Sequence, residues 1–275
     1  GITLGGGIGF LVRRYGLTID DLLAAEVVTA DGEIIQASEE SEPDLFWAIR
    51  GGGGNFGVAT RLRLRLHEIS EIVGGILILP ATPEVITGFI EAANDAPEEI
   101  STIANLMLAP PMPFIPEKAH GKPVLMGMLA GVGPMDQAQA ALAPFRELGE
   151  PYADMVRQMR YPEMYEGEGP PVRNGAGTNF FADALDPADA ATILEQLQRS
   201  TAMMSAVQLR VLGGALARVP NDVTAFAHRD RGLFVNIAAL YMDPGEQDTH
   251  DSWVAGVADS LGKDRLFSKN DVDAA

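Results

Sequence analysis

The sequence has no cysteine among its 275 residues, only four histidines, and far fewer basic than acidic side chains. Without cysteine, the chain can form neither disulfide bonds nor thiolate metal sites. The histidines, at positions 67, 120, 228 and 250, lack the spacing of a metal site, so no metal is predicted. No apolar run approaches the roughly 20 residues that a membrane-spanning helix needs.

The charge balance is strongly acidic, with 38 acidic and 20 basic residues and a net charge of −18. Binding to nucleic acid or to an anionic membrane requires a basic surface, so neither partner is predicted. A small-molecule substrate and a homo-oligomeric partner remain compatible with this composition. A hydrophobic content of 47% provides ample material for a core. The composition is that of a soluble protein and leaves the compartment open between cytoplasm and secretion.

Two glycine clusters stand out, LGGGIG at 4–9 and RGGGGNFG at 50–57. Glycine weakens helices and strands, because it loses more backbone entropy on folding than any other residue. A flexible turn is one interpretation of each cluster. The other is a backbone that must pass very close to a partner, where any Cβ would collide. Arg50 either contacts a phosphate or acts as a cation at the end of a helix.

The first 70 residues alternate short helices and strands. Helices are predicted at 8–15 and 42–49, and strands at 22–30 and 33–37, joined by the hairpin signal Asp31-Gly32. The segment VATRLRLRLH at 58–67 alternates leucine with arginine and predicts a half-buried strand. Tyr15 and Trp47 lie on apolar helix faces and are interpreted as core anchors.

After residue 70, longer strands and amphipathic helices alternate, and tight hairpin signals are absent. Strands are predicted near 72–79, 101–109, 123–130, 180–184, 207–212 and 233–242, with a loop over 163–178. A helix at 187–201 has Asp186 as its expected N-cap. The pattern predicts an α+β fold whose mainly antiparallel sheet is covered by helices on one face.

Several of these segments resemble one known family in order and spacing. They are LGGGIGFLVRRYGLTIDDLLAAEVVTADG and DLFWAIRGGGGNFGVATRLRLRLHEI, covering about 1–69, and more loosely GGALARVPNDVTAFAHRD at 213–230. The chain resembles the FAD-linked oxidoreductases of the vanillyl-alcohol-oxidase type, with a PCMH-type FAD-binding domain, in the berberine-bridge-enzyme-like group. The resemblance implies that 1–70 is the second, mixed-sheet part of the FAD-binding domain and 71–275 the substrate domain.

The family resemblance also implies a cofactor site. Backbone N–H groups can approach phosphate oxygens only where side chains are absent, so the glycine loops would line FAD. The residues implied to bind the cofactor are Gly1, Ile2, Gly5, Gly6, Gly7, Ile8, Gly9, Asn55, Gly57, Val58 and Ala59. Both ends are expected to be cut from a longer chain. Family members attach FAD through a histidine, and often a cysteine, upstream of the first loop.

For catalysis, the resemblance directs attention to the late strands of the substrate domain. The predicted catalytic residues are Asp243, Tyr241, Gln208 and Arg210. Asp243 has the placement of a family carboxylate but precedes Pro244-Gly245, so a turn role is equally compatible. His228-Arg229 is interpreted as structural rather than as a base, and Asp20 and Asp21 as turn residues rather than cofactor ligands.

The resulting hypothesis is a fragment of an FAD-dependent oxidase or dehydrogenase. It would oxidise an alcohol, sugar or natural product by hydride transfer to FAD, with O2 as electron acceptor. The rival hypothesis is a cofactor-free α+β scaffold remnant that buries its flavin-facing surface in an oligomer.

Overall fold

The computed structural model describes residues 2–69, 71–165 and 174–262, together with the backbone of 266–267. The strands are β1 (Leu22–Val28), β2 (Ile34–Ala37), β3 (Val58–Leu64), β4 (Ile72–Pro80), β5 (Ile100–Leu108), β6 (Pro123–Gly131), β7 (Ala153–Asp154), β8 (Arg157–Met159), β9 (Asn174–Ala182), β10 (Met204–Val211), β11 (Leu233–Tyr241) and β12 (Leu266–Phe267). The α-helices are α1 (Val12–Tyr15), α2 (Pro43–Ile49), α3 (Pro83–Asp95), α4 (Met135–Arg146), α5 (Pro187–Arg199), α6 (Ala215–Arg218) and α7 (Gln247–Ser260). Short 3-10 helices lie at Thr18–Asp21, Glu117–Ala119, Tyr161–Tyr165 and Pro244–Glu246.

The chain divides into two compact units. The first comprises 1–69 and 213–230, and the second 70–212 and 231–275. One division between these units falls near residue 70, and the segment 213–230, which the sequence analysis assigned to the second domain, belongs to the first unit. The chain leaves the second unit after Leu212 and returns before Gly232, where the Leu212 N–H donates to the Gly232 carbonyl at 2.9 Å.

The first unit is built on a three-stranded sheet in the order β2-β1-β3. The Asp31-Gly32 hairpin joins β1 and β2 as predicted. All pairings recorded in this sheet are antiparallel, so the expectation of a mixed sheet is wrong. One face of the sheet packs against α2, in a small core made of Leu22, Ala25, Val27, Ala37, Phe46 and Ile49.

The second unit is a nine-stranded antiparallel sheet in the order β12-β9-β11-β10-β5-β6-β4-β7, with β8 also paired to β4. Burial alternates along β11, so every second side chain faces the main core. That core joins the sheet to α3, α4, α5 and α7 on one face. The predicted α+β fold with one helix-covered face is therefore confirmed. The other face, against which no α-helix of the described part of this unit packs, is called the helix-free face below.

Two local expectations have clear outcomes. Asp186 caps α5 as predicted, because its side chain accepts the Asp189 N–H at 2.8 Å. Of the predicted loop over 163–178, positions 166–173 lie outside the described residues, and 174–178 are not loop but the start of β9. Gly175 and Gly177 are unfavourable in a strand, so the sequence pattern predicts a loop there. In the structure they lie opposite Leu240 and Ala238, and pairing with β11 holds their backbone extended.

Candidate functional site

The two glycine clusters meet in the first unit. The Gly51 N–H donates to the Leu4 carbonyl at 2.8 Å, which joins the second cluster directly to the first. The first loop is also tied to the 3-10 helix behind it, because the Thr18 N–H donates to the Gly7 carbonyl at 3.1 Å. The two loops, 4–9 and 50–54, are called the glycine loops below.

Part of the glycine requirement arises within the chain itself. Gly51 has a φ of +108°, and a Cβ added there would lie 2.6 Å from the Phe226 side chain. A Cβ at Gly52 would lie 2.3 Å from the Ala48 carbonyl oxygen, and one at Gly6 would lie 3.0 Å from the Phe226 ring. The backbone therefore does pass close to a partner, and at these positions the partner is the protein's own chain.

Other glycines in the same loops face open space. A Cβ added at Gly9, Gly53 or Gly54 would meet nothing within 4 Å. Among the residues described, the backbone N–H groups of Gly53 and Gly54 form no hydrogen bond. Exposed backbone donors without side chains are the groups that phosphate-binding loops use.

The predicted cofactor residues fall into four groups. Gly1 lies outside the described residues. Ile2, Gly5, Gly6, Gly7, Ile8 and Gly9 belong to the first glycine loop or border it. Gly57 instead directly precedes β3, and Val58 and Ala59 begin that strand, paired with Val28 and Val27 of β1. Exposed Asn55 lies between the second glycine loop and that strand.

A buried ion pair fixes the segment 213–230 within the first unit. The Arg229 side chain is 1% exposed, and its two Nη atoms donate to the Asp20 carboxylate at 3.0 and 2.6 Å. Arg229 also donates to the Thr224 hydroxyl at 2.9 Å. Asp20 in turn accepts the Leu17 N–H at 2.9 Å, so this carboxylate turns the chain, as predicted, and binds a cation as well.

The end of α2 holds the same segment. The Trp47 indole N–H donates to the Asp222 carbonyl at 2.7 Å, and Arg50 donates to the Val223 carbonyl at 3.2 Å. Burial lowers the pKa of the Arg50 guanidinium below its ordinary value. The prediction that Trp47 is a core anchor is wrong, because the residue is 44% exposed and holds the segment through its indole hydrogen bond instead. Arg50 has partners within the chain, which favours its helix-end interpretation.

A row of uncharged polar side chains crosses the helix-free face of the second unit. Gln208 on β10 lies opposite Asn105 on β5 and Asn236 on β11, and Asn236 lies opposite Asn179 on β9. Directly opposed residues on antiparallel strands share a face, so the four side chains form one continuous row. All four are half-buried. This set is called the amide row.

Hydrogen bonds run in one direction along part of this face. The Arg210 Nε–H donates to the Gln208 Oε1 at 2.8 Å, and Gln208 Nε2 donates to the Asn105 Oδ1 at 2.8 Å. Asn105 Nδ2 donates to the Met126 carbonyl at 3.3 Å. Burial lowers the pKa of the Arg210 guanidinium, and nearby Tyr165 acts in the opposite direction. Two predicted catalytic residues, Gln208 and Arg210, thus lie in direct contact.

Tyr165 belongs to a tyrosine pair on the 3-10 helix Tyr161–Tyr165. The two phenol oxygens are 2.7 Å apart. Burial raises the pKa of Tyr161, and its hydrogen bond with Tyr165 raises it further. The Tyr161 phenol therefore stays protonated at neutral pH.

The structure does not bring the other two predicted catalytic residues to the amide row. Tyr241 is buried on the helix-covered face, with its ring 4.5 Å from that of His250 on α7. Asp243 accepts the Gly245 N–H at 2.9 Å, which is the turn role. Side chains along a strand alternate between faces, so Tyr241 and Gln208 point to opposite sides of the sheet.

A separate depression of about 290 Å³ lies between β9 and α7, lined by residues that include Thr178, Asp251 and Asp259. It contains none of the predicted site residues and none of the four amides of the row. Within the described ranges, no group of three acidic or histidine side chains could hold a metal ion. Nor is any described helix long and apolar enough to cross a membrane.

Comparison with known proteins relates these features to a family. The chain is 30% identical over 282 residues to the uncharacterized FAD-linked oxidoreductase YgaK of Bacillus subtilis, covering 97% of this chain. The chain is related to the FAD-linked oxidoreductases. The (R)-6-hydroxynicotine oxidase of Paenarthrobacter nicotinovorans is 32% identical over 169 residues, covering 60% of this chain and 35% of that protein. No protein-family model matches the chain.

Solved structures of other proteins share the fold of this chain. Berberine-bridge-like protein 28 of Arabidopsis thaliana superposes with a TM-score of 0.80, covering 96% of this chain and 59% of that one, at 23% identity. The predicted berberine-bridge-like fold is therefore confirmed. The chain spans 59% of the length of its Bacillus relative.

Proposed function

We propose that this chain forms part of an FAD-dependent oxidase or dehydrogenase that oxidises a small organic molecule. The observation that carries the proposal is the meeting of two glycine loops with open backbone, in a chain related to FAD-linked oxidoreductases. Named relatives and neighbours act on 6-hydroxynicotine or on oligosaccharides, so a small-molecule substrate is part of the proposal.

The residues present fit an FAD pyrophosphate at the open part of the glycine loops. Gly53 and Gly54 would offer backbone N–H groups, and Gly9 would leave room for the ligand opposite them. The remaining predicted contacts, from Ile2, Gly5 and Ile8 to Asn55, extend the same surface and stay predictions. The proposed contributions of Gly6 and Gly7 are indirect, because both pack against the protein's own side chains.

When bound, FAD supplies the hydride acceptor, and O2 is the proposed final electron acceptor. The protein's contribution would be to hold and orient the substrate. On the helix-free face, Arg210 and Gln208 are proposed to orient its polar groups. Tyr161, held protonated by burial, would serve as a hydrogen-bond donor to Tyr165 or to the substrate rather than as a base.

Titration of FAD into the 275-residue chain tests the cofactor proposal, with flavin fluorescence as the readout. Binding is expected for the unmodified chain, and Gly54→Val is expected to weaken it at least tenfold, because the added side chain would occupy the cofactor's approach. The matched control is Gly256→Val on α7, since both glycines face open space and neither has a positive φ. No flavin binding by the unmodified chain, or equal affinity for both variants, would reject the proposal.

The scaffold alternative makes a different prediction for the same surface. A cofactor-free remnant would bury its glycine loops in an oligomer, so Gly54→Val would change the molecular mass in solution. Under the flavin proposal the same variant keeps the mass of the unmodified chain in light scattering. This measurement separates the two functions without requiring catalytic activity.

A further inference from the structure

We propose that the amide row is a recognition strip for a neutral molecule that carries several hydroxyl or carbonyl oxygens. This inference deepens the proposed function by naming the chemical class of the substrate, and it rests on that function for the conclusion that the bound molecule is oxidised. The four amides Asn105, Gln208, Asn236 and Asn179 come from neighbouring strands β5, β10, β11 and β9.

The first argument is that Arg210 fixes which way the amides point. A guanidinium only donates hydrogen bonds, so Gln208 must turn its oxygen toward Arg210. This turns the Gln208 nitrogen toward the Asn105 oxygen, and the Asn105 nitrogen toward the Met126 carbonyl. The carbonyl oxygen of each amide thereby accepts one hydrogen bond within the protein.

The groups that remain at this end of the row include two N–H donors. An amide nitrogen carries two hydrogens, and Gln208 and Asn105 each use one in the bonds described. Each therefore keeps one N–H for a ligand. A ligand atom that binds these N–H groups must be a hydrogen-bond acceptor, such as a hydroxyl, ether or carbonyl oxygen.

At the other end of the row, donors and acceptors are both available. The side chains of Asn236 and Asn179 form no hydrogen bond within the described part of the chain, although both are half-buried. Half-buried amides without protein partners are satisfied by water or by a ligand. A hydroxyl group, which donates and accepts, matches both amides.

The spacing and charge of the row narrow the ligand further. Neighbouring strands are about 4.8 Å apart, so the row presents polar groups at regular intervals over roughly 14 Å. No carboxylate belongs to the row, so an ammonium group finds no counter-ion there. The net charge of −18 disfavours a strongly anionic ligand. A neutral molecule with several oxygens spread along its length fits all three conditions.

The test measures binding of xylitol, glucose and cellobiose to the 275-residue chain by saturation-transfer NMR and calorimetry, without added FAD. At least one of these probes is expected to bind, and Asn236→Ala and Asn179→Ala are each expected to weaken it roughly threefold to tenfold, from one lost hydrogen bond. The matched control is Gln139→Ala, an exposed amide on α4 on the helix-covered side, which is expected to leave affinity unchanged.

A second variant tests the direction of the hydrogen bonds. Gln208→Glu keeps the shape of the side chain and its bond from Arg210, but removes the donor to Asn105 and the spare N–H. Its probe affinity is expected to fall by roughly tenfold or more, while its thermal unfolding reports whether the sheet is intact. An unchanged affinity in a folded Gln208→Glu chain would contradict the donor assignment.

The outcomes separate this inference from the proposed function. If FAD binds but none of the three probes does, or if the probes bind equally to Asn236→Ala and unmodified protein, the recognition strip is rejected and the flavin proposal stands. If the probes bind at the amide row but FAD does not, the oxidase proposal fails and the strip remains. Preferential binding of the cationic probe benzylamine would also reject the proposed ligand class.

Discussion

The glycine loops and the amide row make opposite uses of side chains. In the loops, Gly53 and Gly54 matter because they have no side chain, and what they offer is backbone N–H. In the row, Gln208 and Asn236 matter because of their side chains, held at fixed intervals by strand register. The glycine loops are formed by a few consecutive residues, whereas the amide row is formed by the pairing of strands that are distant in the sequence.

A second difference lies inside the glycine loops. Gly51 is required by the chain's own packing, whereas Gly54 faces open space. Consecutive identical residues therefore have different physical reasons to be glycine. The segment 213–230 is responsible, because its Phe226 fills the space beside Gly51 and Gly6.

The largest effect is expected from removing the buried cation that anchors this segment. Arg229→Ala leaves the Asp20 carboxylate without its partner in a largely buried position. Such a loss costs about 3–5 kcal/mol of unfolding free energy. Urea denaturation of the variant and of the unmodified chain measures the difference.

Arg199→Ala provides the control for that experiment. Arg199 pairs with Glu195, but both side chains are more than half exposed, so the loss is expected to stay within about 1 kcal/mol. Equal destabilisation by the two variants would mean that the anchor is not specific to the segment 213–230.

An intermediate effect on stability is expected in the glycine loops, where some glycines contact the protein's own side chains and others face open space. Gly51→Ala places a Cβ against Phe226 in a backbone conformation that alanine rarely adopts, and is expected to lower the unfolding free energy by about 2–3 kcal/mol. Gly54→Ala is expected to be neutral or slightly stabilising, because it restricts the unfolded chain. Thermal unfolding compares the two variants. Similar melting temperatures would contradict the claim that Gly51 is required by packing and Gly54 is not.

The smallest effect is expected at Glu163, the carboxylate that holds the tyrosine turn. Hydrogen bonds from the Arg160 backbone and from the Arg157 side chain lower the pKa of Glu163 from 4.5 to about 2. Because the folded state binds this proton less readily, the stabilisation is complete above pH 4.5 and declines as the pH falls toward 2.

Glu163→Gln is expected to flatten the dependence of the unfolding free energy on pH between pH 2 and 4.5. Near pH 7, the slope of that dependence is expected to change little. Urea midpoints measured at several pH values between 2 and 6 provide the comparison. Glu147→Gln, on an exposed side chain at the end of α4, is the control. A slope as steep in Glu163→Gln as in the unmodified chain would count against this assignment.

The sequence was sufficient to predict the features that are local. The Asp31-Gly32 hairpin, the Asp186 cap and the two glycine clusters each lie within a few residues, and each was found where expected. The α+β fold followed from alternating apolar positions, whose period differs between strand and helix.

Long-range contacts could not be predicted in the same way. Asp20 and Arg229 are 209 residues apart, so nothing in either neighbourhood indicates that they pair. Likewise, the amide row depends on the register of four strands, and a shift of one residue would send its side chains to the other face. Tyr241 was grouped with Gln208 by proximity to late strands, although alternation along β10 and β11 separates them.

The route of the chain through residues 213–230 limits how the protein can be dissected. A cut at residue 69 would not yield two independent folding pieces, because the second piece would carry Phe226 and Arg229 without the glycines and carboxylate that receive them. Leu212 and Gly232 are already joined by a hydrogen bond, so a short linker between them could replace the segment 213–230 and keep β10 and β11 connected. Expression of 70–275 with that linker in place of 213–230 would therefore be the way to obtain the second unit alone.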